Sequence, residues 1–296
     1  MIKKERPIAE LVPWILLIVL TLVWGSSFIL IKKGLEVFSA IQVSAIRILS
    51  ASIFMVPFAF SWLRRVDKKH YLLIFISGFI GSFIPAILFA VAQTQLDSAV
   101  TGMVNALTPV FVLIIGFLFY KQRITVFKVL GLILAFGGTA LLMFFGSGNG
   151  YHFSYFALFI VAATILYGIN VNILKFNLSA FNPIAISSIS IFMIGPLAAV
   201  QLFAFTDFSQ KFLQEPHAVT ALIYLSILGV VGTSLALMLF NKMIKMTTPL
   251  FSSSVTYLIP IVAVAWGIFD GEKLHVIHYL GMSIIIGGVY MTNKKF

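Results

Sequence analysis

Long apolar runs dominate this sequence and limit what it can fold into. Each has roughly 17 to 25 residues, the length of a helix that crosses about 30 Å of hydrocarbon. A helix satisfies its own backbone hydrogen bonds in lipid, so such runs predict transmembrane helices. We predict ten, at residues 14–31, 40–63, 71–91, 99–119, 127–145, 155–174, 183–205, 219–240, 250–269 and 276–291. The predicted fold class is therefore all-α integral membrane.

Composition supports the same class. The chain is 60% hydrophobic and 10% charged, whereas a soluble domain has about 25% charged residues. It contains no Cys, which excludes disulfides, thiolate metal sites and cysteine nucleophiles. The net charge of +11 would also suit a nucleic-acid-binding protein, but the Lys and Arg residues are distributed by membrane side, so no nucleic-acid partner is expected.

The Lys and Arg residues orient the predicted helices. With both termini in the cytoplasm, that side carries 15 of the 20 Lys and Arg residues and the other side carries 4, while Arg47 lies inside a helix. Cytoplasmic loops are enriched in Lys and Arg. The sequence therefore predicts a multi-pass protein of the cell (cytoplasmic) membrane with its N and C termini in the cytoplasm. Because no A-x-A cleavage site follows the first apolar run, we expect that helix to be retained.

The second half of the chain repeats the first. A shift of 151 residues places Gly78 on Gly229, Gly81 on Gly232, Phe89 on Phe240 and Pro109 on Pro260, and a shift of 143 places Trp24 on Tyr167. The run GSGNG at 146–150 joins two predicted units, residues 1–146 and 147–296, of five helices each. An odd number of helices inverts the second unit in the membrane. Inverted repeats of transporters enclose a substrate site near the bilayer midplane.

Two of the predicted helices carry a proline at matching positions, Pro109 and Pro260. A proline removes one backbone N–H and clashes with the carbonyl four residues earlier, so we predict helix breaks at both positions. One such kink would favour simple packing. A repeated pair favours a transport site, because freed backbone groups must find partners in protein or in a water-filled cavity.

Polar residues within the predicted helices are the candidates for substrate contact, because an unpaired polar group is costly in lipid. Thr101 and Asn105 share one face of the fourth helix. Trp24 and Tyr167 are expected to wall a cavity and stack on an aromatic or cationic ligand, with lipid-facing packing as the alternative. The predicted substrate-binding set is Trp24, Ser27, Arg47, Thr101, Asn105, Tyr167, Asn170, Ser252, Thr256 and Tyr257. Alternatively, the groups near the prolines only satisfy loosened backbone.

Arg47 is the one ionised side chain well inside a predicted helix. A charge at the helix centre costs about 2.5–3.5 kcal/mol on insertion scales, so Arg47 should face protein or water. One role is to bind an anionic or carboxylate group on a substrate. The other is structural, with the side chain packed against backbone carbonyls or extended toward the nearer membrane surface.

Glycines recur at a fixed spacing in the fifth and tenth predicted helices. Gly131 and Gly138 are two helical turns apart, and Gly281 and Gly288 repeat that spacing. Small residues on one face let helices approach closely in lipid. We predict helix packing at these positions, with subunit contact as the alternative.

Several segments together resemble a known family. They are WGSSFILIKKGL at 24–35, AIRILSAS around Arg47, NALTPVFVLIIGFLFYKQRIT at 105–125, GLILAFGG, and YLIPIVAVAWGIFDGEKL. This combination, spread over nearly the whole chain, is similar to EamA-type members of the drug/metabolite transporter superfamily. The resemblance implies two inverted five-helix repeats and, for many members, export of amino acids or related metabolites. Family members often carry an acidic residue after the fourth helix, but this sequence has Lys121 and Gln122 there. The corresponding acid after the ninth helix is present as Glu272.

Missing chemistry narrows the function further. The sequence offers no nucleophile with a base, no metal-ligand cluster and no nucleotide-binding loop, so we expect no enzyme, no cofactor, no bound metal and no direct use of ATP. We expect a secondary transporter that exports small metabolites by alternating access, with amino acids or related compounds as the substrate class.

Two alternatives remain open at this point. One is a nucleotide-sugar or phosphorylated-metabolite antiporter, for which Arg47 supplies too few cations unless Lys32 and Lys175 contribute. The other is a channel or a membrane sensor. The expected partners are a small-molecule substrate and the lipid bilayer, and the protein is expected to be a monomer or a homodimer.

Overall fold

The structure, a computed structural model, describes residues 6–122, 125–145 and 154–293. Eight helical spans are long and apolar enough to cross a membrane: Leu11–Leu35 (α1), Ala40–Leu63 (α2), Lys68–Ala92 (α3), Ser98–Tyr120 (α4), Phe156–Phe176 (α6), Pro183–Ala204 (α7), Ala218–Met246 (α8) and Pro249–Phe269 (α9). Two further apolar helices, Val126–Phe145 (α5) and Val276–Asn293 (α10), complete the set of ten. A short helix, Phe208–Gln214, connects α7 to α8.

The predicted fold class is confirmed, and the predicted helix ends differ from the observed ones mainly in α1 and α8. The helix that forms the first part of α1 extends back to Arg6, before the predicted start at 14. Helix α8 continues to Met246, past the predicted end at 240. Two lysines end its apolar run in the sequence, but one face of its last turns buries Met243 and Ile244. A helix needs only one apolar face to be held by packing.

The ten helices form two inverted repeats of five. In the last turn of α1, Lys32 bonds Glu272 beyond the end of α9, and this contact defines one end of the bundle, the Lys32 face. Helix α6 is the repeat counterpart of α1, but it ends at the opposite end of the bundle, the Lys175 face, where Lys175 bonds the end of α8. The helix packing has the same symmetry between the repeats. Helix α2 packs on its counterpart α7, and α5 packs on its counterpart α10. The packing of α1 on α9 is repeated by that of α6 on α4. The predicted boundary between residues 146 and 147 lies outside the described residues.

Helices α5 and α10 approach each other closely at the predicted glycines. A Cβ placed on Gly138 would lie 2.8 Å from the carbonyl oxygen of Gly281, and one on Gly288 would lie 2.6 Å from the carbonyl oxygen of Gly131. Backbones this close leave no room for a side chain. The prediction that these glycines serve helix packing is confirmed.

Helices α4 and α9 are both interrupted, but not at equivalent residues. In α4 the interruption falls between Ser98–Asn105 and Thr108–Tyr120, with Pro109 at the start of the second segment. In α9 it falls at Ser254, between Pro249–Ser253 and Val255–Phe269, and Pro260 lies inside the second segment. The break predicted at Pro260 is therefore displaced by more than a turn toward the start of α9.

A run of serines explains this displacement. Ser252, Ser253 and Ser254 each donate a hydroxyl hydrogen bond to a backbone carbonyl three or four residues earlier. Such bonds compete with the helical N–H groups for the same oxygens and bend helices. The bend is set by this local competition before the chain reaches Pro260.

The sequence reasoning did not anticipate two π-helical segments. They lie at Phe79–Phe83 in α3 and Val230–Leu235 in α8, and the 151-residue shift relates one to the other. Single-turn π segments inside α-helices occur frequently at functional sites. Gly81 and Gly232 occupy equivalent places in them.

Candidate functional site

A cavity of about 100 Å³ lies between the two repeats. Both repeats contribute to its wall, through α1, α2, α3 and α4 of the first and α6, α8 and α9 of the second. The lining residues are Trp24, Ser27, Phe28, Ile31, Arg47, Gly81, Ser82, Phe89, Asn105, Thr108, Tyr167, Asn170, Val171, Gly232, Thr233, Leu237, Phe240, Ser253, Thr256 and Ile259. Both interrupted helices and both π segments therefore reach this one cavity.

The cavity brings together most of the residues predicted from sequence to contact substrate. Those that line it are Trp24, Ser27, Arg47, Asn105, Tyr167, Asn170 and Thr256. Thr101, Ser252 and Tyr257 are not among the lining residues. The Thr101 hydroxyl is buried and donates to the Asp97 carbonyl at 3.0 Å. The Ser252 hydroxyl lies 2.8 Å from that of Thr247, toward the Lys175 face. Both hydroxyls are thus engaged in local bonds near helix starts.

Aromatic residues from one repeat pack against aromatic residues from the other on two sides of the cavity. The rings of Trp24 and Phe240 meet edge to face with centroids 4.9 Å apart. At the equivalent positions, Tyr167 stacks on Phe89 with centroids 6.0 Å apart. The Trp24 indole N–H also donates to the carbonyl of Gly232 at 3.0 Å. These contacts join the two repeats on both aromatic sides of the cavity, and the indole hydrogen bond also ties Trp24 to the π segment of α8.

The absence of a side chain at Gly81 makes room for Asn170. A Cβ on Gly81 would lie 2.1 Å from the Asn170 amide nitrogen. The Asn170 side-chain oxygen accepts a 2.6 Å hydrogen bond from Ser77. This bond and the close backbone together hold the amide in one orientation at the cavity wall.

Asn105 lies at the interruption of α4. Its side-chain oxygen accepts a hydrogen bond from Thr108 at 3.3 Å, and the same hydroxyl donates to the Asn105 backbone carbonyl at 2.9 Å. Thr108 thereby satisfies a carbonyl that the broken helix leaves open. The Asn105 amide is left facing the cavity.

Arg47 reaches from α2 to the π segment of α8. Its Nε donates to the Thr233 hydroxyl at 2.8 Å, and that hydroxyl donates in turn to the carbonyl of Leu228 at 3.2 Å. Over the described residues, no carboxylate lines the cavity. Arg47 is therefore the charged group of this site.

Sequence reasoning missed Ser82, Thr233 and Ser253 as cavity residues. The repeat carried a usable signal for the first two, because the shift that aligns Gly81 with Gly232 also aligns Ser82 with Thr233. Their exposure to the cavity follows from the π segments. Ser253 had no comparable signal, since its direction depends on the displaced interruption of α9.

A cluster of charges joins α1, the start of α4 and the end of α9 at the Lys32 face. The carboxylate of Glu272, whose side chain is only 1% exposed, pairs with Lys32 at 2.9 Å. It also accepts hydrogen bonds from the Ser98 hydroxyl at 2.6 Å and from the backbone N–H groups of Ser98 and Ala99. An anion is favoured there because free N–H groups at a helix start point toward it. Asp270 completes the cluster by pairing with Lys32 at 2.7 Å.

These partners keep both carboxylates ionised. Burial of Glu272 opposes ionisation, but hydrogen bonds from Ser98, Lys32 and the Ala99 N–H outweigh it and lower the pKa of this carboxyl. Hydrogen bonds from Lys32 and Lys33 lower the pKa of Asp270. A lowered carboxyl pKa stabilises the folded arrangement of this cluster above the ordinary carboxyl value of about 4, and that stabilisation is lost as pH falls through the lowered values.

At the Lys175 face, the lysine bonds neutral partners. The Lys175 ammonium donates to the carbonyls of Ile244 and Thr247 at the end of α8. Gln122 occupies the place that Glu272 has at the other face, since the Gln122 N–H bonds the Gly116 carbonyl at 3.1 Å and the Glu272 N–H bonds the Gly267 carbonyl at 2.8 Å. The substitution of an acid by Gln122, noted in the sequence, thus leaves this face without the counterpart of the Glu272 carboxylate.

Two inverted membrane repeats around a cavity lined by both define a membrane transporter. Residues 12–144 and residues 154–294 each match the EamA-like transporter family, so the chain belongs to that family. An uncharacterized transporter of Archaeoglobus fulgidus is 25% identical over 95% of this chain and 99% of its own.

Other comparisons agree. The uncharacterized inner membrane transporter YedA of Escherichia coli K12 is 24% identical over 93% of this chain and 89% of its own. The WAT1-related protein At4g01430 of Arabidopsis thaliana is 22% identical over 98% of this chain and 86% of its own. A protein of known crystal structure matches 98% of this chain over 97% of its own, with a TM-score of 0.64 and 15% identity. That likeness concerns the fold alone.

Proposed function

We propose that this protein is a secondary transporter that exports small metabolites, amino acids or related compounds, by alternating access. The observation that carries the proposal is the cavity between the inverted repeats, because its wall combines polar groups of both halves. Sites built this way can be exposed to either side of the membrane by rocking one repeat against the other.

The cavity suits a small amphipathic substrate. At about 100 Å³ it is well below the roughly 300–1,000 Å³ of pockets that hold drug-sized ligands. Aromatic rings form much of the wall, and a few amides, hydroxyls and one guanidinium supply directed polar contacts. An amino acid with an uncharged side chain has this mixture of one polar end and one apolar end.

The same chemistry disfavours a nucleotide sugar or a phosphorylated metabolite. Such a substrate carries two or more negative charges, and phosphate sites use several cations. For such a substrate, Lys32 and Lys175 were the lysines expected to add positive charge to that of Arg47. Lys32 instead pairs with Asp270 and Glu272, and Lys175 bonds backbone carbonyls. Neither lysine lines the cavity.

Alternating access requires the charged cluster to open. Substrate leaves through the Lys32 face only when Ser98 at the start of α4 separates from Glu272 beyond α9. The distribution of Lys and Arg predicts that the Lys32 face lies outside the cell. Opening of this face after the cavity has been loaded from the cytoplasm then constitutes export.

Replacing Asn105 with Leu tests the cavity as the transport site. The substitution removes the amide that faces the cavity and leaves the Thr108 hydroxyl without one acceptor. Loss of a buried hydrogen-bonding group costs about 1–3 kcal/mol, so we expect counterflow of the transported amino acid into proteoliposomes to fall about tenfold or more. Saturable counterflow in the unaltered protein separates a carrier from a channel.

Thr101→Val provides the matched control. Thr101 lies one turn before Asn105 on α4, but its hydroxyl bonds the Asp97 carbonyl and does not face the cavity. We expect this variant to retain full counterflow at equal membrane abundance. Full counterflow by Asn105→Leu, or an equal loss in both variants, would remove the cavity from the transport path.

A further inference from the structure

Arg47 carries a charge that the protein does not neutralise. In the part of the chain that the structure describes, its single hydrogen bond is from Nε to Thr233, and no Asp or Glu pairs with it. A guanidinium has five N–H donors in a planar fork, so the two terminal nitrogens remain available. A buried charge without a counter-ion is costly. A negatively charged ligand group would offset this cost.

The amides of the cavity also present donors. Asn105 and Asn170 both line the cavity, and the side-chain oxygen of each already accepts a hydroxyl bond, from Thr108 and from Ser77 respectively. Their amide nitrogens are therefore the groups that each can offer to a ligand. Together with the guanidinium, these donors favour an acceptor such as a carboxylate.

The charge of Arg47 makes the cavity asymmetric, although the repeat pairs many of its other residues. Trp24 with Tyr167, Gly81 with Gly232 and Phe89 with Phe240 are paired by the repeat. The shift of 143 residues places Arg47 on Ser190, which is neutral and bonds a backbone carbonyl of its own helix at 3.1 Å. A ligand with one anionic end is therefore held in a single orientation, with that end on the α2 side.

We propose that Arg47 binds the carboxylate of the transported compound, and that the substrates are monocarboxylates with an uncharged, largely apolar side chain. This inference rests on the proposed function and narrows its substrate class. The planar fork matches a carboxylate with two parallel hydrogen bonds. A second carboxylate would find no second cation among the lining residues. A cationic side chain would give the bound compound a net positive charge beside Arg47, with no acid in the wall to offset it. Acidic and basic amino acids are excluded for these reasons.

The test compares acids with their amides. Purified protein in proteoliposomes is loaded with each of L-leucine, L-phenylalanine and L-methionine, and counterflow of the labelled compound is competed by the free acid, its carboxamide, L-glutamate or L-lysine. We expect each acid to compete at least tenfold better than its carboxamide, and L-glutamate and L-lysine to compete weakly. Arg47→Gln should lose at least tenfold in affinity for the acid, and Arg47→Lys should recover part of it.

The outcomes separate this inference from the proposed function. Equal competition by acid and carboxamide in the unaltered protein would overturn the carboxylate site and leave the transporter intact. Retained acid preference in Arg47→Gln would also overturn it. Absence of saturable counterflow for every loaded amino acid would overturn the proposed function together with the inference. Thermal unfolding in detergent checks that each variant is folded. If Arg47→Gln does not fold, the comparison of acid and carboxamide in the unaltered protein still tests the inference.

Discussion

Replacing Glu272 with Gln is expected to open the Lys32 face and to lower the stability of the protein. The Glu272 carboxylate accepts hydrogen bonds from Lys32, the Ser98 hydroxyl and two backbone N–H groups. Its side chain is almost fully buried. Breaking a buried charge pair costs about 3–5 kcal/mol. We expect roughly 3 kcal/mol, the lower end of that range, because the Lys32 side chain remains 30% exposed.

The absence of native cysteines gives a clean measurement of this opening. The chain has no Cys, so Ser82→Cys places a single thiol in the cavity wall. In intact cells, a membrane-impermeant maleimide should label this thiol at least tenfold faster in Glu272→Gln than in the parent protein. Inside-out vesicles, which present the other face, report whether labelling from that side falls.

Glu36→Gln is the matched control for Glu272→Gln. Glu36 also pairs with a lysine of the Lys32 face, at 2.7 Å from Lys33, but its side chain is 54% exposed. An exposed pair contributes about 0–1 kcal/mol, so this variant should label like the parent protein. If Glu272→Gln also labels at the parent rate from outside the cell, the charged cluster does not close that face.

The sequence contained most of the fold because the relevant signals are long or repeated. Hydrocarbon thickness fixes the length of each span, and backbone satisfaction in lipid allows few alternatives to helices. Polar residues at helical spacing identified Asn105, and the repeat added Thr256 and the pair of Trp24 and Tyr167. Asn105 and Thr256 line the cavity for the reason that made them conspicuous, because an unpaired polar group is costly in lipid.

Other features depend on contacts that no local pattern encodes. Thr101 has the correct spacing from Asn105, but a bond to the Asp97 carbonyl engages its hydroxyl near the start of α4. The interruption of α9 follows serine side chains that compete for backbone carbonyls before Pro260 is reached. The π segments that turn Ser82 and Thr233 into the cavity arise where α3 and α8 meet neighbouring helices closely.

The difference between the Lys32 face and the Lys175 face can be traced from the sequence to the structure. From sequence, Lys121 and Gln122 only mark a departure from the acid retained at Glu272. In the structure, Gln122 and Glu272 occupy equivalent turns over Gly116 and Gly267. The departure therefore makes the two ends of the bundle unequal in the part of the chain that the structure describes, since the position of Gln122 lacks the carboxylate of Glu272. The two repeats thus share one fold but differ in the contacts at their two ends.

Substitution of Gly288 by Ala is expected to force α5 and α10 apart. The added Cβ would lie 2.5 Å from the Ala135 backbone nitrogen and 2.6 Å from the Gly131 carbonyl oxygen. Neither backbone atom can move as a side chain can, so the helices must separate and lose dispersion contacts along the interface. Overpacking costs about 1–3 kcal/mol, and the melting temperature in detergent should fall by several degrees.

The adjacent residue, Gly287, is the matched control for Gly288. A Cβ on Gly287 would meet no atom within 4 Å, and Ala is favoured over Gly in a helix by about 0.5–1 kcal/mol. Gly287→Ala should therefore melt at or slightly above the parent temperature. The pair Gly137→Ala and Gly138→Ala on α5 should repeat this contrast, since a Cβ on Gly137 meets nothing within 4 Å and one on Gly138 meets the Gly281 carbonyl oxygen. Equal melting temperatures for Gly287→Ala and Gly288→Ala would mean that α5 and α10 do not meet at this face, and that the two repeats are joined elsewhere.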